Sequence, residues 1–325
     1  MEPLPEIIRR ISEVRILVIG DVMLDYYITG DVFRISPEAP VPVIAVEEEH
    51  YVLGAAANVA HNLASLGIRT KLLGTWGKDS SGTLLEKLLQ EAHIEMAHGS
   101  SVPGIQTILK TRVIARQQQL CRLDKEDLPM RYHKEWQQAM TSESLESDLA
   151  HVDAVILSDY AKGVIDQACV DAISKHVQEH PKILAWDPKP KHPLNFSHLT
   201  LMTPNRQESF ALAGMPEDHH HFPADIICQK IFQRYHPRYL VITLGKDGML
   251  LSCDGKVVNC IPTYAQEVFD VSGAGDTVIA ILTAALAAKV SPKDAIHLAN
   301  IAAGIVVAKR GTAVVTVEEI AKRAI

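Results

Sequence analysis

The chain has no Gly-x-x-x-x-Gly-Lys-Ser/Thr sequence and no Gly-x-Gly-x-x-Gly after its first apolar segment, so two common phosphate-cradling loops are missing. Cysteine is scarce. Its five copies (Cys121, Cys169, Cys228, Cys253, Cys260) are scattered, odd in number and without a Cys-x-x-Cys pair, which excludes a disulfide framework or a zinc site and predicts reduced thiols in a cytoplasmic chain. Aromatic residues make up only 5%, so the core is mostly aliphatic. Basic excess is absent as well: a net charge of -7 argues against bulk binding to nucleic acid or an anionic membrane. The longest charge-free apolar run, 278–288, falls short of the roughly 20 residues that span a bilayer. The first residues lack a basic region followed by an apolar core, so no signal peptide is expected. Without a repeat, a low-complexity stretch or a Gly/Ser linker, residues 1–325 are expected to form one domain.

What is present is a rhythm of short apolar segments. Residues 15–21, 154–159, 183–187, 199–203 and 239–243 are near-continuously apolar and each ends in a polar residue, and 69–75 reads as a further short strand. Between two of them, 59–66 has helical spacing and stops at Gly67. Continuous apolar strands alternating with helices predict an α/β fold, with a mostly parallel sheet covered on both faces. Ligands of such sheets bind beyond the carboxyl ends of the strands, where Asp21, Asp159, Asp187, Thr203 and Thr243 stand. Each could instead cap a helix or a turn. Two stretches break the rhythm: 34–52, with three prolines, and 105–124, two β-prone runs around Arg116-Gln117-Gln118. They predict a small sheet inserted into the body at about 28–53 and 104–124, serving as a lid or an oligomer contact. The three adjacent histidines at 219–221 cannot all converge on one metal ion.

The chemistry concentrates in Asp270-Val271-Ser272-Gly273-Ala274-Gly275-Asp276-Thr277, which runs straight into an apolar helix. Amides at a helix start point outward unpaired and the helix dipole adds positive character, so Gly273, Ala274 and Gly275 could hold an anion with Asp276 beside it as a base. An N-cap aspartate after a glycine-rich turn is the competing explanation. Further candidates follow a distinctive order. Gly20-Asp21 with Asp25 comes first, then Gly54-Ala55-Ala56-Ala57-Asn58, Thr203-Pro204-Asn205-Arg206-Gln207-Glu208, Thr243-Leu244-Gly245-Lys246-Asp247-Gly248 and finally Asn300. Asn205 and Glu208, three apart on a helix's first turn, could form a Mg²⁺ shell, possible through water, or a capping box.

This ordered set resembles the ribokinase-like carbohydrate kinase family over nearly the whole chain. Residues 34–43, Arg116-Gln117-Gln118-Gln119-Leu120 and Ser158-Asp159-Tyr160-Ala161-Lys162-Gly163 are similar to heptose 7-phosphate kinases of lipopolysaccharide precursor synthesis. The resemblance implies a three-layer fold with a β-sheet lid, and transfer of the ATP γ-phosphoryl group to O1 of D-glycero-β-D-manno-heptose 7-phosphate. Other sugar or nucleoside kinases of this type, acting on fructose or ribose, and a silent sugar-binding partner of a nucleotidyltransferase are the alternatives. It implies Asp276 as base and Gly273, Ala274 and Gly275 as the phosphoryl cradle. Thr243, Gly245, Gly248 and Asn300 fall on the nucleotide side, with Asn205 and Glu208 toward Mg²⁺. Asp21, Asp25, Gly54 and Asn58 fall to the sugar, and Arg116 and Lys162 to its phosphate. Asp187 is grouped with the acceptor, and Lys189 with either the acceptor or the ATP phosphates. A homodimer through the lid and a separate nucleotidyltransferase acting next complete the expectation. One departure is Ala55, where the family usually has a second glycine.

Overall fold

Alternation along each central strand sends neighbouring side chains into two different cores. On the strand Arg15–Gly20, Ile16 and Val18 join one cluster while Leu17 and Ile19 join the other. The computed structural model, which describes residues 2–323 except 117, 192, 193 and 266, places this strand near the middle of a nine-stranded sheet. In spatial order the strands are Lys256–Ile261, Met249–Cys253, Tyr239–Thr243, Leu201–Met202, Ile183–Asp187, Ala154–Ser158, Arg15–Gly20, Arg69–Leu73 and Glu95–Met96. From Tyr239–Thr243 onward all pairings are parallel, and the first two strands close that edge antiparallel. Helices including Ala56–Ala64, Ala274–Ala287 and Pro292–Val306 bury their apolar residues against one face. Ser142–Ala150, Gln167–Glu179 and Ala224–Tyr235 cover the other. This is the expected three-layer α/β body.

Some boundaries moved. The strand expected over 199–203 shortens to Leu201–Met202, because Thr203 leads into Pro204, which has no amide to continue a ladder. The helix expected at 59–66 starts earlier, at Ala56, and ends at Ala64.

A second, four-stranded sheet carries the order Pro42–Ala55, Val22–Ile35, Ile108–Ala115, Gln118–Lys125. Val22–Ile35 follows the body strand after Asp21 alone, and pairs antiparallel with Pro42–Ala55 and parallel with Ile108–Ala115. Its root is buried at Val22, Met23, Leu24 and Asp25, whereas Phe33 and Ile35 at its tip are 71% and 61% exposed. Among the described residues no helix is long and apolar enough to cross a membrane.

Candidate active site

Asp276 lies on the first turn of the helix Ala274–Ala287, 3% exposed. The turn before it needs Gly273, whose φ is 80° and where a β-carbon would sit 2.8 Å from Asn58 Nδ2. Asn58 Nδ2 donates to Asp276 Oδ2 at 2.7 Å, and the Tyr160 hydroxyl donates to Oδ1 at 2.9 Å. Burial pushes the Asp276 carboxyl up to about 6, with Asp25 adding to the rise, against the lowering effect of Asn58, Tyr160 and Lys189. Of the amides expected to cradle an anion, that of Ala274 turns to the Val271 carbonyl at 3.3 Å. Among the described residues those of Gly273 and Gly275 have no main-chain partner. A β-carbon added to Gly275 would meet nothing within 4 Å. The helix start is therefore open on the side where an anion would approach.

On the lid side, Asp25 Oδ1 accepts from Arg112 Nη1 at 2.6 Å and Oδ2 lies 3.4 Å from Thr312 Oγ1. Gly54 packs so closely that a β-carbon there would stand 2.8 Å from Asp25 Oδ2. Asp21 is engaged differently from a sugar-hydroxyl ligand. Its Oδ2 accepts from the amides of Tyr160 and Lys162 at 2.9 and 3.0 Å, and Oδ1 from that of Val164 at 3.1 Å. Burial raises its carboxyl while these amides lower it. Asp21 thus clamps the 159–164 turn to the end of the first strand, and so holds Tyr160 in reach of Asp276. Asn58 is occupied in the same way, donating to Asp276 and accepting from Asn62 Nδ2 at 3.3 Å.

On the opposite side, Asn205 and Glu208 form the capping box: Asn205 Oδ1 accepts from the Glu208 amide and Glu208 Oε2 from the Asn205 amide, each at 2.9 Å. The second Glu208 oxygen accepts from Lys189 Nζ at 2.7 Å. Asp187 accepts from Thr203 Oγ1 at 3.0 Å. Burial, with Glu208 and Asp276 nearby, holds the Asp187 carboxyl well above the ordinary carboxylate range. Gly245, with Lys246 and Asp247, forms a one-turn 3₁₀ helix after Thr243. Gly248 has φ 90°, and a β-carbon there would lie 2.0 Å from the Ile261 carbonyl. Asn300 anchors the loop after Ile261, donating to the Pro262 carbonyl at 2.8 Å.

Two expected phosphate cations are otherwise engaged. Arg116, at the tip of the lid hairpin, is 67% exposed and pairs with Asp31 at 3.3 Å. Lys162 Nζ donates to Glu126 Oε1 at 2.5 Å. Besides Lys189, whose Nζ lies 5.5 Å from the Tyr160 ring centroid, the cations nearest Tyr160 and Tyr27 are Lys110 and Arg112, in register with Asp25 and Tyr27 across the parallel pair. Lys110 Nζ lies 5.7 Å from the Tyr160 ring centroid, and Arg112 is 5.3 Å from that of Tyr27. The signal for them was present: two cations spaced by two on one face of the β-prone run 108–115. Tyr160 carried no signal of its own, because nothing local says that a tyrosine after Asp159 reaches a carboxylate 116 residues away.

A three-layer α/β body, a small sheet rooted beside the site and a carboxylate at an open helix start define a sugar kinase. The family of pfkB carbohydrate kinases matches residues 14–319, and the chain belongs to it. Bifunctional protein HldE of Alcanivorax borkumensis is 43% identical over 311 residues, covering 95% of this chain and 63% of that protein. HldE of Helicobacter pylori (strain 26695) is 42% identical, covering 94% of this chain and 66% of its own length. The chain therefore spans just under two thirds of these relatives. Arabidopsis thaliana ribokinase complexed with ribose and ATP superposes with a TM-score of 0.74 at 18% identity, covering 95% of this chain and 98% of that one. Escherichia coli phosphofructokinase-2 gives 0.73 at 18% identity, covering 96% and 98%. At such identities these two speak for the fold.

Proposed function

We propose that this chain transfers the γ-phosphoryl group of ATP to the anomeric O1 of D-glycero-β-D-manno-heptose 7-phosphate, forming the 1,7-bisphosphate used in lipopolysaccharide precursor synthesis. The observation that carries the kinase chemistry is Asp276, held by Asn58 and Tyr160 beside open helix-start amides. The sugar assignment is supported by the sequence resemblance at 34–43, 116–120 and 158–163.

In this reading Asp276 Oδ accepts the proton of the O1 hydroxyl as that oxygen attacks the γ-phosphorus, the bond to the β,γ-bridging oxygen breaks and ADP leaves. The Gly273 and Gly275 amides stabilise the negative charge on the transferred group. Asp25, fixed by Arg112, meets sugar hydroxyls, and Asn58 and Asp21 position the base and its turn. Lys189 faces the incoming phosphates. Mg²⁺ would neutralise nucleotide charge. Each Glu208 oxygen and Asn205 Oδ1 already accepts one hydrogen bond, so these residues suit a hydrated ion held through its waters better than direct ligation. Thr243, Gly245 and Gly248 line the nucleoside side, with Asn300 fixing the adjoining loop.

The exposed apolar residues of the lid support a homodimer formed there. A nucleotidyltransferase would consume the product, and the composition supports a cytoplasmic location. The test is a coupled ADP-release assay across phosphorylated and neutral sugars, with the product position fixed by phosphorus NMR. Turnover confined to neutral sugars overturns the heptose 7-phosphate reading.

A further inference from the structure

We propose that Lys110, on the floor of the lid, is the anchor for the phosphate carried by the acceptor sugar. This rests on the reading of the acceptor as a sugar phosphate. Around the site the cations are matched with carboxylates: Arg112 with Asp25, Lys162 with Glu126, Lys189 with Glu208 and Arg122 with Asp124. Lys110 differs. It is half-buried, and among the described residues its ammonium makes no hydrogen bond or ion pair. The charged groups acting on it are Asp25 and Asp124, which favour the cation, and Lys162 and Arg122, which repel it. A half-buried ammonium with no hydrogen-bonded or ion-paired carboxylate of its own is a place where an anion is stabilised and a neutral hydroxyl gains little.

The position suits an acceptor that reacts at one end and is charged at the other. Tyr160 measures the gap: its hydroxyl is 2.9 Å from Asp276 Oδ1, and its ring centroid is 5.7 Å from Lys110 Nζ. A sugar lying along that ring would offer a hydroxyl to Asp276 and a distal phosphate to Lys110. Arg116 stands six residues further along the hairpin, about 20 Å away at the rise of a strand, and points to Asp31.

The test is Lys110→Gln, with Lys110→Met as a second variant should the first fail to fold by circular dichroism. Steady-state kinetics are read with heptose 7-phosphate and with the unphosphorylated heptose, and calorimetry reads heptose 7-phosphate binding without nucleotide. The expected result is a KM and Kd for the phosphorylated sugar raised about tenfold or more, with a far smaller change for the neutral one and for ATP. Equal changes for both sugars, or no change, overturn the assignment. So does a larger effect from Arg116→Ala. A parent protein that binds heptose 7-phosphate as tightly as Lys110→Gln does removes Lys110 and leaves the proposed reaction standing, whereas a parent that binds no phosphorylated sugar removes both.

Discussion

The phenol of Tyr160 donates a 2.9 Å hydrogen bond to Oδ1 of Asp276, and the amide of the same tyrosine is held at 2.9 Å by Asp21. Asp276 is thus oriented by a side chain whose own backbone is pinned to the end of the first strand.

This sets the pH behaviour. Asp276 works as a base only when ionised, and burial places its carboxyl at about 6, so kcat/KM should rise with pH through about 6. Tyr160→Phe removes a donor that favours the carboxylate, which raises the pKa further. The acid limb should move to higher pH, with the loss greatest near pH 6 and partly recovered by pH 8. A limb that stays in place or moves down would remove Tyr160 from that role.

Replacing the base is a direct measurement. Asp276→Asn should lower kcat by about 10²- to 10⁴-fold, the range for loss of a general base, with little change in the KM for ATP. A variant as active as the parent refutes the assignment.

Glu208→Gln keeps the capping box, since glutamine reaches back to the helix start as glutamate does, but removes the charge that faces Lys189. Activity titrated against Mg²⁺ at fixed ATP should need about tenfold more metal at half-saturation. An unchanged titration would leave Glu208 as a cap alone.

Ala55 has φ 51° and ψ −128°, a conformation unfavourable for any residue with a β-carbon. Ala55→Gly should stabilise the protein by about 1 kcal/mol, read as a higher midpoint in urea at unchanged m-value. No gain would mean that relief of strain is offset by added freedom of the unfolded chain.

Phe33→Glu with Leu123→Glu places charge among the exposed apolar side chains of the lid. Light scattering should then report a monomer where the parent is a dimer. A parent already monomeric dismisses the lid contact.

The body was legible because a strand buried on both faces must be apolar along nearly its whole length, as 154–157 is, and such runs stand out without knowledge of partners. The open helix start before Asp276 was legible from Gly273 and Gly275, since a start crowded by side chains would be closed to an anion. Less visible were residues whose role depends on folding at a distance. Asp21 looked like a sugar ligand, but its carboxylate is used by three amides of the 159–164 turn. Asn205 and Glu208 supported two explanations at the same spacing, and the capping geometry is the one formed. Charge alone did not distinguish Arg116 from Lys110, because which cation turns inward depends on the register of Ile108–Ala115 against Val22–Ile35.

Only Asp21 separates the body strand Arg15–Gly20 from the lid strand Val22–Ile35. Its amide binds the Ser158 carbonyl, its carbonyl receives the Ala56 amide, and its carboxylate holds the turn that carries Tyr160. The small sheet is accordingly joined to the body without a slack loop, at Asp21 and again where Ala55 runs into Ala56. Any displacement of the small sheet at its root would meet the same residue that holds Tyr160 against Asp276.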